Sequence, residues 1–215
     1  MIRPVVSNEI FAILLVFCLV LIALAKVFFP KRFDQFIYVL GNFRYLKVYA
    51  RDQKFIDGFD ALLFVNVIIS CSVFGFLIFQ NYLGEVDDPY TLLFKLFVGI
   101  GVFILSKTLI ERLIGSLFEI DALIDVYVFQ KMSYKNFLGL ILIPINAILV
   151  FNVVPTTQIL SGIVILFVLI NVVGLISSFK SYQSSIKSKL FYFILYLCAL
   201  EISPYVILYK LTIGT

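Results

Sequence analysis

Long apolar runs alternate with short polar stretches along this chain. A helix that crosses a membrane needs about 20 mostly apolar residues, at about 1.5 Å of rise each. Six runs meet that length: 10–29, closed by Pro30; 59–79; 90–110; 137–154, closed by Pro155; 159–177; and 190–209. Each is continuously apolar and lacks the alternation of barrel strands, so the runs predict helices. The expected fold class is all-α. It is a polytopic integral membrane helical bundle with six transmembrane helices and interfacial amphipathic helices on the cytoplasmic side. No internal repeat, linker or low-complexity tract divides it, so residues 1–215 read as a single transmembrane domain.

The first run invites a comparison with a cleaved leader. Ala23-Leu24-Ala25 has the small-x-small spacing of a signal-peptidase site. However, Pro4 and Glu9 accompany Arg3 before the run, and the basic residues follow it. The expectation is a retained helix.

The polar links set the orientation. The link after the first run carries Lys31, Arg32, Arg44, Lys47, Arg51 and Lys54. The next has Glu85, Asp87 and Asp88 and no base. The third holds Arg112, Lys131 and Lys135, the fourth is uncharged, and the fifth holds Lys180, Lys187 and Lys189. Basic residues favour the cytoplasmic side, so links one, three and five are expected there, with both termini periplasmic.

Two of these links carry patterns of their own. Phe33, Phe36, Ile37, Leu40 and Phe43 recur at helical spacing among charges, with Gly41-Asn42 as a break point. That predicts a helix in the headgroup layer, with Lys31 and Arg32 at the headgroups. Its stripe reads either as an anchor or as a docking face for a partner. In the third link, Leu113, Ile114, Leu117, Phe118, Leu123 and Ile124 alternate with Glu111, Arg112, Glu119, Asp121 and Asp125. The third helix is therefore expected to project past the membrane surface and bend along it.

Composition narrows the classes. Of 215 residues, 62% are apolar and 14% charged, against about 25% charged in ordinary soluble domains. Mean hydropathy is +1.10. A small globule leaves about a third of its chain surface in water, so a soluble enzyme, a disordered tail and a secreted disulfide scaffold are all excluded. There is no His, which removes the commonest general base and metal ligand. Cys18, Cys71 and Cys198 lie inside apolar runs and read as small buried hydrophobes. With no Trp, interfacial anchoring falls to Tyr and Phe. The net charge of +4 follows the positive-inside bias and gives no reason to expect nucleic acid as a partner.

Glu201 stands out, because a carboxylate near the middle of an apolar run is expensive and faces a bundle interior. Ser203 and Pro204 follow it, and Pro204 frees the carbonyl of Leu200 from its helix bond. The group reads either as a proton- or cation-linked site or as a structural lock. Glu201 is expected about 16 Å above the inner face and Lys95 about 22 Å, so a lysine arm could join them. Pro144 and Asn146, Asn66, Ser70, Ser72, Asn171, Gly99 and Gly101 either pack helices together or open a polar cavity around Glu201. Enzyme motifs fail one by one. Gly115-Ser116 has no His to activate the hydroxyl. Asp121 and Asp125 share a helical face but have no matching second acidic cluster. No Gly-rich phosphate loop is present. No catalytic residue, metal or cofactor is expected.

The stretches Asn136–Asn146 and Tyr196–Lys210 resemble a family of Bacteroidota inner-membrane proteins classed as domain of unknown function 4271. Glu201, Pro204 and Lys210 are the most specific part of the likeness, which runs from about the second helix onward. The resemblance implies the inner membrane of a diderm bacterium and supplies no reaction. Together these readings lead to the expectation of a non-enzymatic accessory or scaffold subunit of a larger inner-membrane complex, for protein export or cell-surface machinery. Its expected partners are membrane lipids and other inner-membrane subunits. The alternative is a small transporter or lipid flippase that works through Glu201.

Overall fold

The computed structural model describes residues 8–39, 46, 49, 57–84, 88–117 and 121–186. They form α1 (Asn8–Phe28), α2 (Pro30–Ile37), α3 (Gly58–Leu83), α4 (Pro89–Leu117), α5 (Asp121–Phe151) and α6 (Thr157–Ile186). Four of them, α1, α3, α4 and α5, are long and apolar enough to cross a membrane, and α6 has a shorter apolar stretch over Thr157–Val172. The chain is a helical membrane protein. The sixth apolar run, 190–209, lies outside the described residues.

Local chemistry sets the helix ends. Pro30 opens α2, where its missing N–H costs nothing because the first-turn donors have no helical partner. Gly84 closes α3 at φ 88°, and its N–H bonds the Gln80 carbonyl at 3.2 Å. That conformation favours glycine, which has no Cβ to clash. Asp88 caps α4. Its carboxylate accepts from the Tyr90 and Thr91 amides at 3.1 and 3.3 Å, and also from the Thr91 hydroxyl. The Thr91 bonds hold the Asp88 carboxyl below its ordinary range.

α3 is the hub. Its span is 61% buried, against 28% for α1 and for α4. One cluster joins α1, α3 and α4 through Phe11, Val73, Phe76 and Leu93, with the Phe11 and Phe76 rings 5.2 Å apart. A second joins α1, α3 and α5 through Leu15, Cys18, Leu21, Ile69 and Ile143. A third joins α3, α5 and α6 through Phe74, Leu77, Leu142, Leu149 and Leu160. Lipid tails are as apolar as leucine, so close backbone contact between helices matters more here than hydrophobic burial. Gly139 provides such a contact. A Cβ there would lie 2.5 Å from Val67 Cγ2 and 2.9 Å from Val67 Cα. Gly174 likewise seats the Tyr134 ring, with a Cβ position 2.8 Å from it.

The helices differ from the apolar runs at two places. α5 begins at Asp121, well before the run that starts at 137, and α4 continues to Leu117. Both extensions are amphipathic, so a count of apolar residues passes over them. They pack against each other, with Ile124 under Gly115. The third helix therefore extends beyond its apolar run, and its end packs on the start of α5.

Contacts across the bundle fix the helix directions. Arg32 in α2 meets Asp57 and Asp60 at the start of α3. The end of α4 meets the start of α5, and Asn81 at the end of α3 bonds Thr157 at 2.9 Å. So α1, α4 and α6 run toward one charged end, and α3 and α5 run away from it.

Candidate functional site

The charged end is built from ion pairs. Arg32 is 8% exposed. Its two terminal nitrogens donate to Asp57 Oδ2 and Asp60 Oδ2, each at 2.7 Å. The guanidinium also stands 4.8 Å from the Phe59 ring centroid and 5.1 Å from that of Tyr49. Arg suits this place because its planar fork serves two carboxylates while its faces stack on rings. The result clamps the short α2 onto α3. Phe33 and Phe36 reinforce it, Phe36 meeting the Phe59 and Phe137 rings edge-on at 5.6 and 6.1 Å.

Deeper in the bundle, Lys131 of α5 donates to Glu111 of α4. Glu111 is 1% exposed, and Lys107, one turn earlier on the same face, is 9% exposed. Lys131 also stands 5.5 Å from the Tyr127 ring centroid. Beside this pair, Arg112 meets Asp125 at 3.3 Å nearer the surface. Burial of either charge alone costs several kcal/mol, about 3–5 when one partner of such a pair is lost. The match between α4 and α5 therefore depends on keeping both.

A second polar group runs along the α3–α5 contact. Asn146, fully buried, donates to the Ser70 carbonyl at 2.9 Å. Ser70 Oγ stands 3.8 Å from Cys18 Sγ of α1. Asn66 and Asn136 are equally enclosed, and among the described residues neither has a hydrogen bond to any of its side-chain polar atoms. Ser72 and Ser133 bond back to their own helices, at Ile68 and Phe129. An unpaired buried amide costs about 1–3 kcal/mol, so these amides call for partners beyond those the described residues supply.

A cleft of about 160 Å³ opens between α3, α4 and α5. Phe64, Leu105, Phe129 and Met132 line its body, and Asp60 and Arg112 stand toward the charged end. Its apolar walls suit a hydrocarbon segment rather than a polar solute.

The residues singled out in the sequence fall in different places. Asn146 joins the buried seam. Lys95 is exposed on α4, two turns from Asp88 at the end opposite the ion pairs. Phe33 and Phe36 are buried, but Ile37 is 43% exposed, so the stripe faces the bundle and leaves Ile37 at its edge. Arg32, expected at the headgroups, turns inward because two aspartates wait there. Glu201, Ser203, Pro204 and Leu40 lie outside the described residues. Sequence reasoning missed the Glu111–Lys131 pair and the Asn136 amide. The spacing Gly101, Ile104, Lys107, Glu111, Gly115 along one face of α4 was the available signal. Small residues mark a contact face, and the charges sit within it.

No curated protein and no solved structure matches the chain. A family model does match, over residues 11–212, which takes in the first helix and its following link as well as the later ones. The chain belongs to that family, described as a domain of unknown function (DUF4271).

Proposed function

We propose that this protein is a non-enzymatic accessory or scaffold subunit of a larger bacterial inner-membrane complex, such as one for protein export or cell-surface machinery. The observation that carries this reading is the Arg32 clamp. It fixes an interfacial helix rigidly to the bundle at the end rich in basic residues, the end assigned to the cytoplasm by the positive-inside rule. A helix held in that way presents a constant surface to a neighbour. Other membrane subunits are then the protein partners, and lipids fill the apolar cleft and surround the bundle. No nucleic acid is involved.

The test is purification in mild detergent from cells that express the chain at its native level. Companion proteins at fixed stoichiometry, lost on Arg32→Ala while the chain itself persists, support the subunit. A chain that purifies alone in every condition sinks it.

The buried amides favour a second reading, a small transporter or lipid flippase centred on Glu201. Lys135 of α5 lies within electrostatic reach of Cys71. Cys71 is about 18 Å along α3 from Phe59 at the usual rise, close to the depth expected for Glu201. Lys135 therefore joins Lys95 as a candidate partner for that carboxylate. Reconstitution in proteoliposomes tests this reading: headgroup-labelled lipid scrambling or proton flux must be present in the wild type and lost in Glu201→Gln.

A further inference from the structure

Three buried asparagines, Asn66 of α3 and Asn136 and Asn146 of α5, have six side-chain polar atoms between them. Among the described residues, only the Asn146 amide nitrogen has a hydrogen bond, to the Ser70 carbonyl. The other five, both of Asn66, both of Asn136 and the Asn146 oxygen, have none. All three residues are 0–1% exposed. Such groups are rare in folded proteins, and each calls for a partner.

The five atoms belong to one region. The Val67–Gly139 contact sets α3 and α5 in register. Asn66 adjoins Val67, and Asn136 lies one turn before Gly139. Asn146 lies two turns beyond Gly139 and reaches back to Ser70. α3 and α5 run in the same direction, so Asn136 and Asn146 lie in file along the face of α5 that meets α3, with Asn66 next to Val67 on α3. Asn66 and Ser70 are four residues apart on one face of α3, while Asn136 and Asn146 fall about 15 Å apart along α5. That length covers the middle of a hydrocarbon core of about 30 Å.

We propose that this seam is a binding site for water, holding ordered molecules between the amides at mid-membrane depth. Amides offer donors and acceptors together, which matches a small neutral molecule that is both. The three side chains bring no charge to balance a bare ion. The near-contact of Gly139 with Val67 keeps the helices too close for a larger solute. Water bridges of this kind satisfy buried polar groups throughout globular proteins. The proposal goes beyond both readings of function. A scaffold tolerates a hydrated seam, whereas a carrier uses one as part of a polar route.

The test uses the full chain in lipid vesicles, with Cys18, Cys71 and Cys198 replaced by Ala. Single cysteines are introduced as Asn66→Cys, Asn136→Cys and Leu160→Cys. Leu160, on α6 and away from the seam, is 1% exposed and sits in an apolar cluster, so it controls for burial. With a small water-borne methanethiosulfonate reagent, Asn66→Cys and Asn136→Cys should react at least about tenfold faster than Leu160→Cys, because reaction needs a hydrated thiolate. Equal, slow rates at all three positions overturn the proposal. Thermal unfolding of Asn136→Leu in the otherwise native chain gives an independent reading. In a hydrated seam, leucine expels water and strands the remaining amides, and the midpoint falls by about 2–4 °C. In a dry seam, leucine removes two unpaired atoms and the midpoint rises, which also overturns the proposal.

Discussion

Arg32 illustrates how a single side chain can reverse its expected position. By sequence it flanks an apolar stripe beside Lys31, and both read as headgroup anchors. In the fold Lys31 is exposed and Arg32 is buried. The difference lies in Asp57 and Asp60, which stand 25 and 28 residues later and come opposite Arg32 where α3 begins beside α2. Pairing at such a distance leaves no mark in local spacing. Arg32→Ala should lower stability by about 2–3 kcal/mol, because two carboxylates lose a charged partner. The melting midpoint in detergent should fall by about 5–10 °C. Arg32→Lys should recover only part of this, since an ammonium cannot fork to both acids and stack on the rings. The Glu111–Lys131 pair gives a different pattern. Glu111→Gln and Lys131→Met should each cost about 3 kcal/mol by leaving a charge buried alone. The double variant should recover most of that loss, because the lone charge is gone. A double-mutant cycle on melting midpoints measures it, and additive losses would show that the two residues do not act as a pair.

At the scale of elements, apolar length was legible and amphipathic length was not. The runs at 10–29, 59–79 and 90–110 mark α1, α3 and most of α4, because membrane helices must be apolar over their whole span. The first half of α5 escaped, since Asp121, Asp125, Lys131 and Lys135 interrupt it. Its burial comes from packing on α4, which a single-helix pattern does not encode. The α3–α5 contact was readable only as a list of small and polar residues; the register that pairs Val67 with Gly139 is a tertiary property. Gly139→Ala tests that contact. Its Cβ would meet the Val67 backbone at 2.9 Å, and backbone cannot rotate aside. Overpacking of this kind costs about 1–3 kcal/mol. Gly99→Ala is the control, because no described residue lies within 4 Å of its Cβ position. In a helix interior that change should stabilise by about 0.5–1 kcal/mol. Unfolding midpoints of the two variants should therefore move in opposite directions, and a shared direction would show that the close contact is not limiting.

The whole molecule is polarised along its helix axes. Lys26, Lys31, Arg32, Lys107, Arg112 and Lys131 stand toward the ion-paired end with the acids Asp57, Asp60, Glu111 and Asp125, while Glu9, Asp88 and Lys95 stand toward the other. Helix directions derived from contacts alternate in step with the basic and acidic links read from the sequence. Two independent lines, packing and charge, thus divide the chain into the same two sides. Basic loops are retained on the cytoplasmic side during insertion, so the ion-paired end should face the cytoplasm. Lys47 and Lys187 should then be cytoplasmic, and Asp87 and Thr215 periplasmic; all four lie outside the described residues and sit in the links or at the terminus that decide topology. Each is replaced singly by cysteine in a chain freed of Cys18, Cys71 and Cys198. Spheroplasts are treated with a membrane-impermeant maleimide before and after lysis. Positions 87 and 215 should label on intact spheroplasts, and positions 47 and 187 only after lysis. Early labelling at 47 alone would mean that run 59–79 does not cross between the first link and Asp87, which likewise overturns the six-span topology while leaving the helices after Asp87 as assigned. Early labelling at 187 would require an odd change in the number of crossings after Asp87, and would overturn the six-span topology itself.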